Sequence, residues 1–96
     1  MSRPGVRTIG DAMQELIRTL GIDGKLRQYE VVERWPELVG EQISRVATAD
    51  RFDGSTLYVR VKYAPWRNEL VFLKNDLIGK INGVMGEEIV HDIVFK

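Results

Sequence analysis

The stretch Asp53-Gly54-Ser55-Thr56-Leu57-Tyr58-Val59-Arg60-Val61-Lys62-Tyr63 decides the fold class of this chain. Leu57, Val59, Val61 and Tyr63 alternate with Tyr58, Arg60 and Lys62. Period two with one apolar face is the pattern of a half-buried strand. Asp-Gly between strand-like segments is a strong hairpin signal, so Thr48–Phe52 is expected to pair antiparallel with this strand. Loop length then sets which face Phe52 takes. A three-residue loop places it beside Tyr58 on the outside, and a two- or four-residue loop sends it into the core with Leu57.

Upstream, the apolar period is helical. Ile9, Met13, Leu16, Ile17 and Leu20 recur at helix spacing, Thr8 and Asp11 have capping-box spacing, and Gly21 is a natural stop. A second helix is expected from a cap at Asp23 through Leu26, Tyr29, Val32 and Trp35. Pro36 disfavours a helical residue before it and suits the start of a helix, so a break is expected at Trp35 and a third helix over Pro36–Val46. Gly40 inside that helix implies close packing or a second kink.

Downstream, Trp66, Leu70, Leu73, Leu77, Ile78 and Ile81 form one stripe, which predicts a single long helix from Pro65 ended by Gly83-Val84-Met85-Gly86. The run Ile89–Phe95 is apolar on both faces and is expected to be the central strand, parallel to the strand before the long helix. The order is therefore α-α-(α)-β-β-α-β. A three-stranded mixed sheet cannot bury its apolar face alone, so the expected architecture is an α+β two-layer sandwich with helices packed on the sheet.

The chain has 96 residues, and 14 Lys+Arg balance 14 Asp+Glu. Its length bounds it to one domain, read as a lead-in over residues 1–7 and a single domain over 8–96. The absence of Cys excludes a disulfide scaffold and a thiolate zinc ribbon. Zero net charge without a basic run excludes nucleic-acid binding driven by a basic tail and leaves only a local patch. No run approaches about 18 apolar residues, and Met1-Ser2-Arg3-Pro4-Gly5 has no signal-peptide core, so a cytoplasmic chain without a membrane span is expected.

Several strings, taken in order, resemble the DciA-like domain. They are Trp35-Pro36-Glu37-Leu38-Val39-Gly40-Glu41-Gln42-Ile43, then Asp53-Gly54, Leu57-Tyr58-Val59-Arg60-Val61 and Ala64-Pro65-Trp66-Arg67-Asn68-Glu69-Leu70. Lys80-Ile81-Asn82, Gly86 and Ile93-Val94-Phe95 complete the series. The resemblance implies a KH-like sandwich. It also implies a role in bacterial DNA replication, assisting the replicative helicase and contacting both that helicase and DNA. Helicase-assisting relatives add an extended or basic segment, whereas this chain closes at Lys96. The expectation is therefore for the folded module.

The candidate nucleic-acid-binding residues are Tyr58, Arg60 and Lys62 on the outward strand face, with Arg67 and Lys74 seven residues apart on one helix face. An aromatic between cations can stack a base and contact phosphates. The plainer account of each is an ordinary solvated face. The Gly83–Gly86 string matches GxxG but leads from a helix into a strand, so it reads as a helix stop. Trp35 and Trp66 read as core anchors. His91 is the only His and has no Cys or other nucleophile to pair with, and Glu87-Glu88 and Asp92, close to it in sequence, read as the ordinary charge of a Gly-rich bend, so no catalytic residue, metal site or cofactor is expected. Two further expectations are a protein–protein adaptor that touches nucleic acid little, and homo-oligomerisation through an open sheet edge.

Overall fold

The computed structural model describes residues 8–96, and the expected lead-in over 1–7 lies outside them. Its elements are α1 (Ile9–Leu20), α2 (Asp23–Glu33), α3 (Trp35–Val39), α4 (Glu41–Ser44), β1 (Ala47–Asp53), β2 (Thr56–Val61), α5 (Ala64–Phe72), α6 (Lys74–Met85) and β3 (Asp92–Phe95). The class is α+β, with helices packed on one face of a three-stranded mixed sheet. No helix among the described residues is long and apolar enough to cross a membrane.

The hairpin closes with a two-residue loop, Gly54-Ser55, between the paired Asp53 and Thr56. Gly54 has φ 61°, a left-handed conformation that glycine adopts without a Cβ penalty. Ala47 and Ala49 point inward, so strict alternation would turn Arg51 inward and Phe52 outward. A bulge between Ala49 and Arg51 resets that parity. Arg51 therefore lies opposite Tyr58 on the outer face, while Phe52 lies opposite Leu57 and packs against the core.

The strand order is β1-β2-β3, with β1 antiparallel and β3 parallel to β2. The expectation that residues 89–95 form the central strand is corrected, because β2 is central and β3 is an edge strand of four residues. Asn82 accounts for how short β3 is. Its side-chain oxygen accepts from the backbone N–H of both Ile89 and Val90, and its amide donates to the Val90 carbonyl. That segment is buried without a ladder partner, and strand pairing begins only at Asp92.

Both termini of α1 match expectation. The Thr8 hydroxyl accepts from the Asp11 N–H, the Asp11 carboxylate accepts from the Thr8 N–H, and Gly21 at φ 69° ends the helix. In α2, Asp23 is the first helical residue and makes no capping bond. The buried residue of α2 is Val31, whereas Leu26 and Tyr29 are exposed. The break falls at Arg34, so Trp35 opens α3 with Pro36 in its first turn. The indole of Trp35 is buried and donates to the Ala47 carbonyl at 3.0 Å, joining the helix layer to β1.

The single helix expected over Pro36–Val46 is two short ones. Gly40, at φ 92°, makes the second break, and a Cβ there would meet nothing within 4 Å. Positive φ, and not close packing, explains this glycine. The expected long helix is also two, because Leu73 at φ −90°, ψ 0° interrupts the stripe between α5 and α6. Leu70, Leu77, Ile81 and Met85 remain in the core with Leu38, Leu57 and Val59. Gly86 caps α6 at φ 79°, so the GxxG string acts as a helix stop.

Candidate nucleic-acid interface

The outward face of the sheet is open, and Tyr58 stands at its centre. Across the ladder Tyr58 pairs with Arg51 on β1 and with Val94 on β3. The Arg51 guanidinium lies 4.4 Å from the ring centroid and the Lys96 ammonium 5.6 Å, both within cation–π range. Lys96 stays in register because its N–H donates to the Val59 carbonyl and its own carbonyl accepts from the Val61 N–H. Arg60 is exposed two residues further along the same face of β2.

The bulged Asp50 is the acid among these cations. Its carboxylate lies 2.9 Å from Lys96 Nζ, 3.5 Å from Arg60 and 3.8 Å from Arg51. The Lys96 hydrogen bond, aided by the charges of Lys96, Arg60 and Arg51, holds the Asp50 carboxyl below its usual range. Three cations thus share one carboxylate. The arrangement can exchange that carboxylate for a phosphate, because an incoming anion makes the same charge-assisted bonds.

The structure separates the residues expected from sequence. Tyr58 and Arg60 lie in this cluster. Lys62 is exposed just past the end of β2, and its N–H donates to the Val46 carbonyl. Arg67 belongs to α5 in the helix layer, half-buried, with its Nε buried and without a hydrogen-bond partner. Lys74 begins α6 and pairs with Asp92 at 3.0 Å, which lowers the Asp92 pKa. Asp92 lies opposite Thr56, and Arg60 is four residue steps further along β2, roughly 13 Å away. Arg67 and Lys74 therefore do not share the single helix face that the spacing implied, since the break at Leu73 puts them on different helices.

Sequence reasoning missed Arg51 and Lys96. The two-residue loop that sends Phe52 to the core also turns Arg51 outward, and the sequence left that loop length open. Lys96 was legible by parity from Ile93, which is buried, once β3 is known to continue in register.

A second charge network is structural. Arg27 donates to Glu87 at 2.7 Å, to Glu30 at 3.0 Å and to the Met85 carbonyl, tying α2 to the end of α6. Arg34 bridges Glu30 and Glu37. The Glu87 hydrogen bond is the main reason the Arg27 guanidinium is held protonated more firmly than usual. Among the described residues no group of three His, Cys, Asp or Glu side chains is placed to hold a metal.

The family model described as Dna[CI] antecedent, DciA, matches residues 8–95. The chain belongs to the DciA family. It is similar to a UPF0232 protein of Mycolicibacterium smegmatis, with 28% identity over 82 residues, covering 85% of this chain and 42% of the relative. Another M. smegmatis relative, 27% identical over 82 residues (85% of this chain, 42% of the relative), is named for its place in the recF–gyrB intergenic region. A UPF0232 protein of Streptomyces coelicolor is 29% identical over 87 residues, covering 88% of this chain and 46% of the relative. The chain thus spans less than half the length of these curated relatives.

Proposed function

We propose that this chain is a non-enzymatic nucleic-acid-binding module that works in bacterial DNA replication, in the cytoplasm, and assists the replicative helicase. The observation that carries the reading is Tyr58 with Arg51 and Lys96 both within cation–π distance of its ring on the open sheet face, and Arg60 alongside. The cations contact phosphates, and the ring supplies a stacking surface for a base. Family membership supports the replication context. Helices on one side of the sheet and an open face on the other support the KH-like description.

Binding on this reading is local and salt-sensitive, with DNA as the ligand. Fluorescence anisotropy with single- and double-stranded oligonucleotides at two salt concentrations tests it. The chain is expected to bind at low salt, and the Arg60→Ala/Lys62→Ala and Tyr58→Ala variants are expected to lose most of that affinity. Undiminished binding by both variants refutes the face, and no binding at low salt refutes direct DNA contact.

A specific observation also supports a protein-adaptor role. Val71, Phe72 and Leu73 at the α5–α6 break are exposed, Phe72 by 86%. Clustered exposed apolar side chains of this kind mark interaction surfaces. On this reading Phe72→Ala weakens capture of the replicative helicase while leaving DNA affinity unchanged, and titration of the purified helicase separates the two.

A further inference from the structure

Helix α1 is strongly specified yet covered by nothing among the described residues. It has a complete capping box and a left-handed glycine stop, but none of its residues is buried. Ile9 is 85% exposed, and Met13, Leu16 and Leu20 are each more than half exposed. A 12-residue helix is marginal in water without tertiary packing. A globular chain of this length has a radius of gyration of roughly 12 Å. Here it is 16.6 Å, and the molecule measures 58 × 23 × 19 Å. The chain is drawn out, as expected if α1 projects from the body.

We propose that α1 is a homodimerisation helix that pairs antiparallel with α1 of a second copy of this chain. Three features of the helix select that occupant. The exposed residues Ile9, Met13, Leu16 and Leu20 are spaced four, three and four apart, which is the seam of a two-stranded coiled coil. The spacing reads the same in both directions, so an antiparallel copy meets it in register, Met13 opposite Leu16 and Ile9 opposite Leu20. The residues beside the seam are Gly10, Ala12, Ile17 and Thr19, all uncharged, while Asp11, Glu15 and Arg18 occupy the opposite arc. Two copies therefore meet without like-charge repulsion, and antiparallel pairing sets their helix dipoles in opposition.

The same charges argue against a lipid surface. Two acids and one Arg on the polar arc do not attract anionic headgroups as a Lys/Arg-rich face does. An uncharged apolar seam offers nothing to a nucleic-acid backbone. The reciprocal faces of two copies bury on the order of 1,000 Å² in total, the lower limit for a specific interface, so the dimer is weak and depends on concentration.

Sedimentation of the full chain across the micromolar range tests the proposal. Reversible dimerisation is expected, with Leu16→Lys weakening it at least tenfold and Gln14→Lys, on the charged arc, leaving it unchanged. α1 contributes no buried residue to the core, so near-UV circular dichroism of Leu16→Lys is expected to match the parent. The chain has no Cys, so a second readout is clean. Mixed Met13→Cys and Leu16→Cys chains are expected to form a disulfide with each other faster than either does alone. A monomer throughout the range overturns the proposal. So does a dimer that survives Leu16→Lys, which would assign association to a sheet edge, or a monomer whose α1 is protected only by added replicative helicase.

Discussion

Arg51 and Tyr58 face each other across β1 and β2, with the guanidinium 4.4 Å from the ring centroid. They meet because the two-residue loop sets Asp53 opposite Thr56 and therefore Arg51 opposite Tyr58, and the bulge between Ala49 and Arg51 lets β1 keep that pairing while Ala47 and Ala49 face the core. The same bulge carries Asp50 to the edge of the face, where it meets Lys96, Arg60 and Arg51. The bulge thus supplies the cationic cluster with its internal competitor.

On the proposed nucleic-acid reading, removing the competitor is expected to strengthen DNA binding. Asp50→Asn keeps the shape of the side chain and releases three cations. Affinity at low salt is expected to rise several-fold, and the slope of log affinity against log salt to steepen by roughly 0.7–0.9 for each added phosphate contact. Anisotropy titrations over a salt series check this, and an unchanged slope counts against phosphate contact by these cations.

Acid pH acts on the same carboxylate and on Asp92. Both folded pKa values lie below the ordinary value, Asp50 through Lys96 and Asp92 through Lys74. The stability each contributes is fully present above the unfolded-state pKa of about 3.9 and is lost as pH falls through the folded value. Both pairs are solvent-accessible, so the loss is modest. Urea denaturation of the parent and of Asp50→Asn/Asp92→Asn is expected to converge in acid and diverge at neutral pH, with the parent more stable there. Equal stability at neutral pH would remove these pairs from the account.

Asn82→Ala removes three hydrogen bonds to the backbone of Ile89 and Val90. The Val90 backbone is buried and is left without these partners, so a destabilisation of about 2–3 kcal/mol is expected. Amide hydrogen exchange should rise first in residues 89–95 and leave the β1–β2 hairpin protected. Uniform loss of protection would show that Asn82 supports the whole core instead.

Trp35→Phe keeps an aromatic ring but leaves the Ala47 carbonyl without its indole donor. The expected cost is about 1–3 kcal/mol from the lost bond and the reduced ring volume, read as a lower urea midpoint at constant slope. A neutral result would mean that water or a neighbour replaces the indole N–H.

Much of the fold was legible because local rules governed it. The alternation from Leu57 to Val61 and the Asp53-Gly54 turn specified the hairpin, and Thr8, Asp11 and Gly21 specified both ends of α1. The α2 stripe was misjudged because Tyr29 and Leu26 have apolar bodies at helical spacing, yet the helix rotates Val31 toward the core. The break at Leu73 has no proline or glycine to announce it. Of the candidate site, Tyr58 and Arg60 followed from parity alone, and Lys62 from the same alternation.

The sequence by itself determined the class of this protein: the period of its elements, the hairpin, the parallel return and the family to which it belongs. Periodicity and turn chemistry act over a few residues, so they can be read along the chain. Only the tertiary structure decided which cations share a surface. Arg51 was set opposite Tyr58 by the hairpin register, Asp50 was brought among the cations by a one-residue bulge, Lys96 was brought beside Tyr58 by strand pairing, and Lys74 was drawn to Asp92 at the far end of the sheet. Those placements depend on contacts between residues distant in sequence, and on a bulge that keeps Ala47, Ala49 and Phe52 all against the core.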